Sequence, residues 1–246
     1  MDDEYMKIFF KDNFPCVKYV LEIITELANL TITSLVVEDT MPNLHGHGVR
    51  LDVHARDAAG REYNIEVQRS DKGAGVKRAR FNSSLLDANN LPAGEKYDSL
   101  PETYVIFITE NDVLGKNLPI YHIERYIRET NDIFGDQSHI IYVNGHYCGS
   151  DPLGQLMRDF NESDPEKMSD SPLKETARQL KETPEGVSSM CKAIEQMRSE
   201  SEARGREEAT LDNIRAFMKA TGETAEKVMS MLGIQKEQMG KYLALL

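Results

Sequence analysis

The residues with the most chemistry in them lie in one stretch, LDVHARDAAGREYNIEVQ, residues 51–68. Asp57-Ala58-Ala59-Gly60-Arg61 separates two alternating runs and has the composition of a hairpin loop, with Gly60 able to supply the left-handed residue of a short turn. A hairpin centred on Ala59 sets Asp52 opposite Glu66. The two-residue period of a strand then puts Arg50, Asp52 and His54 on one face with Asn64, Glu66 and Gln68, and gives Leu51, Val53, Tyr63, Ile65 and Val67 to the other. Two carboxylates facing each other across a ladder repel. A divalent cation between them reverses the sign, and oxygen ligands of this kind suit Mg²⁺ or Mn²⁺, which keep waters and leave room for a phosphate oxygen. That arrangement implies metal-assisted hydrolysis of a phosphodiester, with Asp52 and Glu66 on the metal and Gln68 orienting the attacking water.

A basic cluster follows at once. Arg69, Lys72, Lys77, Arg78 and Arg80 stand against Asp71 alone, so this segment carries +4 in a chain whose formal charge is -12. Placed beside the acidic pair, it would meet backbone phosphates. His54 shares the acidic face and could touch substrate, whereas His45 and His47 lack a third ligand and are expected to be incidental.

Positioning these groups requires a framework, and the sequence supplies one. Pro15 can open a helix whose apolar positions Val17, Val20, Leu21, Ile24 and Leu27 recur at three- and four-residue spacing. Five runs rich in β-branched and aromatic residues, at 30–39, 49–55, 63–68, 104–108 and 139–143, suit strands. A helical stretch ends at Asn89-Asn90-Leu91-Pro92, between the third and fourth runs. Strands interleaved with helices predict a mixed α/β sheet, with Tyr104, Phe107 and Tyr142 in its core. Residues 1–160 form the expected core domain, 161–171 (NESDPEKMSDS) a polar linker, and 172–246 a helical tail turned at Gly222 and Gly233. The tail's methionines are expected to pack, and the tail itself to serve packing or homo-oligomerisation rather than DNA readout, because the acidic chain opposes phosphate contacts.

At 246 residues, 40% hydrophobic and 28% charged, the chain can bury a sizeable core. Its acidity excludes adhesion to nucleic acid or anionic lipid by a general positive field. No apolar run reaches membrane-spanning length, and the acidic start MDDEYMKIFFKDN is unlike a secretory leader, so a cytoplasmic, membrane-free protein is expected. Cys16, Cys148 and Cys191 are too few and too far apart for a disulfide framework or a zinc site.

Asp52, a hairpin, and then Glu66-Val67-Gln68, with RLDVHARDAAGREYNIEVQRS leading into KRARFNSSLLD, resemble the PD-(D/E)XK family transposases, or recombination-promoting nuclease-like proteins. The resemblance runs over roughly residues 1–160. It implies a restriction-endonuclease-like fold with a helical tail and a Mg²⁺- or Mn²⁺-dependent DNA endonuclease connected with recombination or mobile elements. It assigns the family's two acidic positions to Asp52 and Glu66 and its lysine position to Gln68, which departs from the family pattern because an amide cannot serve as an ammonium. The opening DEYMK resembles the family's start and implies Asp3, as a further metal ligand, and Lys7 as site members. Two rival readings are a catalytically weak or inactive descendant that binds DNA or protein through the same face, and an oligomerisation module acting through the tail.

Overall fold

The structure, a computed structural model, describes residues 3–43, 48–68, 73–243 and 245–246, and the side chains of all of these except 3–5, 189, 193, 196, 197, 200, 201, 204 and 237. Its first helices are α1 (Asp3–Phe10) and α2 (Phe14–Thr25). Asn13 caps α2 by accepting from the Cys16 amide at 3.2 Å, Pro15 occupies the first turn, and Cys16, Val17, Val20, Leu21 and Ile24 form its buried stripe. Strands β1 (Ile32–Met41), β2 (Val49–Asp57) and β3 (Glu62–Gln68) follow, then α3 (Val76–Asn90) and β4 (Thr103–Thr109). The segment after β4 contains a short strand, β5 (Ile120–Ile123), and a small ribbon of β6 (Tyr126–Ile127) and β7 (Asp132–Ile133), which the sequence patterns do not announce. Strand β8 (Ser138–Asn144) and helices α4 (Pro152–Asn161) and α5 (Pro172–Glu182) come next.

Six strands form one mixed sheet in the order β1-β2-β3-β4-β8-β5. The β1-β2-β3 meander is antiparallel, β3-β4-β8 is parallel, and β5 returns antiparallel to β8. The parallel strands need both faces covered. On one face Ile65, Val67, Ile106, Ile108 and Val143 pack with Phe10 of α1, Leu21 of α2 and Leu156 of α4. On the other, Val105, Phe107 and Tyr142 pack with Ala79 and Leu86 of α3. The protein is thus a mixed α/β fold, a sheet flanked by helices and followed by C-terminal helices, as expected.

Two sequence expectations are corrected here. Residues 161–171 are not a free linker: Met168 joins the first core cluster with Leu173 and Ala177 of α5, and Ser169 donates its amide to Asp159 at 3.0 Å. The segment looks polar because its few apolar side chains are spent inward. Accordingly the chain divides into compact units at Met1–Met190 and Cys191–Leu246, not near residue 161. Second, Leu51 lies in the cluster on the α3 side while Val53 lies in the opposite one, so the alternation inverts at Asp52. The neighbouring strand inverts beside it. Its ladder runs from Val37↔Val53 to Asp39↔Leu51 with Glu38 between them at φ 60°, a left-handed conformation rare in a strand.

The C-terminal unit contains the end of α6 (Pro184–Thr221), then α7 (Ala225–Met231) and α8 (Lys236–Leu243), with Gly222 at φ 71° and Gly233 at φ 73° making the expected turns. Ile214, Val228 and Met229 are buried together, with Met218 and Met239 against them. Among the described residues no helix is long and apolar enough to cross a membrane.

Candidate metal and phosphate site

The hairpin that carries the acidic pair has the register its sequence predicts, with Val53↔Ile65, His54↔Asn64, Ala55↔Tyr63 and Arg56↔Glu62 paired. Gly60 makes the turn at φ 84°. Asp57, buried at its rim, holds the turn together. Its Oδ1 accepts from the amides of Ala59 and Arg61, both at 2.9 Å, and its Oδ2 accepts from Tyr63 Oη at 2.9 Å and from Arg61 Nη1 at 3.1 Å.

Past Val53 and Ile65 the two strands exchange side-chain contacts. The Asp52 amide donates to Glu66 Oε1 at 3.4 Å, and the Val67 amide donates to Asp52 Oδ2 at 3.3 Å. The two carboxylates are therefore brought together as expected, at the place where the alternation inverts. Glu66 is fully buried. Burial above all, and then the charge of Asp52, push its pKa well above the usual carboxylate range, against the opposing pull of Arg78. The Gln68 amide spans the pair, with Nε2 3.4 Å from Asp52 Oδ2 and 3.5 Å from Glu66 Oε2.

Arg78 is placed more intimately than the sequence indicates. Its guanidinium bonds Glu66 Oε2 at 2.7 Å and the carbonyl of Gly73 at 2.8 Å, and lies 5.9 Å from the centre of the Phe107 ring. One helical turn on, Asn82 Nδ2 approaches Glu66 Oε1 at 3.5 Å, and its buried Oδ1 has no hydrogen-bond partner among the described residues. Sequence reasoning missed Asn82. Its signal was a polar residue four positions after Arg78, on the same helical face. Gly73 was missed too: a Cβ there would stand 2.0 Å from Gln68 Oε1, so the amide fits only against a bare backbone.

The oxygen donors fit a hard divalent cation. Asp52 and Glu66 supply two carboxylates and Asn82 an unused carbonyl oxygen, while among the described residues no group of three or more His, Cys, Asp and Glu is arranged to hold a metal ion. Two carboxylates with waters and a substrate phosphate are what Mg²⁺ accepts, whereas zinc takes nitrogen and sulfur ligands.

The other expected residues are placed as follows. Lys77, Arg78 and Arg80, with Arg50, line a cavity of about 790 Å³ that also reaches Asn82. Lys7 bonds Glu38 at 3.2 Å, and Arg50 pairs with the same carboxylate, so Lys7 stands at the strand beside Asp52. His54 is held by Asp39 at 2.7 Å and Glu62 at 2.8 Å. Burial lowers its pKa, but those two carboxylates outweigh it and hold the imidazole above its ordinary value. The side chain of Asp3 and residues Arg69, Lys72, His45 and His47 lie outside the described residues. Cys16, Cys148 and Cys191 are free thiols.

The family described as PD-(D/E)XK nuclease family transposase matches residues 22–146, a span that includes the sheet, α3 and the acidic pair. No curated protein and no solved structure matches the chain.

Proposed function

This chain belongs to the PD-(D/E)XK nuclease family transposases, and on that premise we propose that it hydrolyses DNA phosphodiesters with a divalent cation held by Asp52 and Glu66. The observation that carries the reading is a fully buried glutamate set against a second carboxylate, an arrangement of like charges that a bound cation stabilises. Mg²⁺ or Mn²⁺, when bound, supplies Lewis-acid polarisation of the phosphate and a more acidic water.

The chain's own groups do the rest. Gln68, in reach of both carboxylates, hydrogen-bonds and orients the attacking water; an amide carries no charge, so its part is positional. Arg78 compensates the charge of Glu66 through their 2.7 Å bond. With a cation held by Glu66 and Asp52, the Arg78 guanidinium would be placed to face a phosphate oxygen. Lys77 and Arg80, exposed on the same turn of α3, bind the flanking phosphates, and Arg69 and Lys72 extend the same basic run in sequence. DNA recombination or mobile-element movement is the setting that the family's description supports.

The test is cleavage of supercoiled plasmid by the purified chain with Mg²⁺. Asp52→Ala and Glu66→Gln should each abolish cleavage, while in EDTA the stability of Asp52→Ala stays equal or rises by up to ~1 kcal/mol because a repulsion is relieved, and Glu66→Gln loses in addition its ion pair with Arg78. A fully active Asp52→Ala protein would remove the site from consideration. A large fall in melting temperature for both variants in EDTA would make the pair structural.

A further inference from the structure

Helix α3 presents two different stripes. Arg78 and Asn82 bond Glu66. Lys77, Arg80, Phe81 and Ser84 recur at three- and four-residue spacing and are exposed, and all four line the cavity of about 790 Å³. Phe81 is 38% exposed. A lone exposed phenylalanine is ordinary on a protein surface. This one is different in its setting: it lines a concave wall together with Lys77 and Arg80, one helical turn from Arg78 and next to Asn82, in a chain whose net charge is -12. The cavity lies in the size range of small-ligand sites, with room for a nucleotide.

We propose that Phe81 is a stacking platform for an unpaired nucleobase beside the scissile phosphate, so that the protein binds single-stranded or locally opened DNA in preference to continuous duplex. This rests on the DNA reading above and adds the substrate class. In duplex DNA each base already stacks on its neighbours, and exposing its face costs a few kcal/mol of unstacking. Lys77 and Arg80 meet phosphates in either form, so they supply affinity without this discrimination. The ring gains contact only where a base face is free, and it does so with little regard to sequence, because every base has such a face.

The experiment measures binding of the full chain, with Ca²⁺ in place of Mg²⁺, to an oligonucleotide containing a fluorescent adenine analogue, as single strand and as perfect duplex. Wild type, Phe81→Ala, Phe81→Leu, Phe81→Tyr and Arg80→Ala are compared. The wild type and Phe81→Tyr should bind the single strand more tightly and quench the analogue. Phe81→Ala and Phe81→Leu should lose about 5- to 150-fold in single-strand affinity, the range expected for one stacked base, with duplex affinity nearly unchanged. Arg80→Ala should weaken both forms alike and flatten the salt dependence. Quenching that survives in Phe81→Ala, or a wild type that prefers duplex, overturns the stacking site and leaves the DNA reading standing. Failure of the wild type to bind either DNA overturns both.

Discussion

Glu66 shows how much of this site is decided by single atoms. A carboxylate with no exposed surface sits against Asp52, and it is tolerable because Arg78, Asn82 and the Asp52 amide converge on its two oxygens. The types and spacing of Asp52, Glu66 and Gln68 were legible in the sequence, since one hairpin fixes all three. Asn82 and Gly73 were not, because their roles arise only when α3 folds back over the sheet. Gly73 gives the sharper test. A methyl group there would overlap Gln68 Oε1 and approach Arg78 Nη1 to 3.1 Å, both ends of flexible side chains. Gly73→Ala should therefore cost little stability yet displace the amide, and turnover should fall by roughly 10- to 1000-fold, as in Gln68→Ala, with DNA affinity kept. Single-turnover cleavage with parallel affinity and melting measurements decides. Unchanged turnover in both variants would relieve Gln68 of any part in the chemistry.

Among the elements, the β2-β3 hairpin and α3, whose end at Asn90 the sequence marks, were legible, whereas β5, β6 and β7 were not. The hairpin's register follows from its loop composition and alternation, and Ala55↔Tyr63 and His54↔Asn64 bear it out. The inversion at Asp52 escaped notice because its cause lies in another strand, at Glu38 with φ 60°, and a two-residue period cannot register a left-handed residue in its neighbour. What keeps the register is Asp57. It is 3% exposed and serves two turn amides, a buried tyrosine hydroxyl and Arg61. Asp57→Ala strands the Tyr63 hydroxyl and frees the turn, which should cost ~2–4 kcal/mol. Because Asp52 and Glu66 face each other across this hairpin, cleavage should fall together with the melting temperature, unlike the pattern expected for Gly73→Ala. A melting temperature close to wild type would show that the sheet, not the turn, sets the register.

On the scale of the whole molecule, composition misplaces the boundary between the parts. Residues 161–171 contain mostly polar and acidic side chains, and polarity alone argues for a linker. Yet Met168, Leu173 and Ala177 enter the core cluster that holds α2, and the Cys16 thiol donates to the Pro172 carbonyl at 3.2 Å with its pKa pushed up to about 11 by burial. A chain ending at Asn161 would lose two large buried side chains, roughly 3–6 kcal/mol of burial. Since a domain's net stability is about 5–15 kcal/mol, that loss removes a large share of it. A chain ending at Met190 keeps all of these contacts and should melt as the full protein does, with protease cutting last in the segment 161–182. Helices α7 and α8, with Ile214, Val228 and Met229, would then be dispensable for the nuclease fold, and light scattering of the 1–190 chain beside the full chain would show whether assembly depends on them. If the chain ending at Asn161 melts as high as the full protein, α5 is only an appendage, and the boundary belongs back at the polar segment.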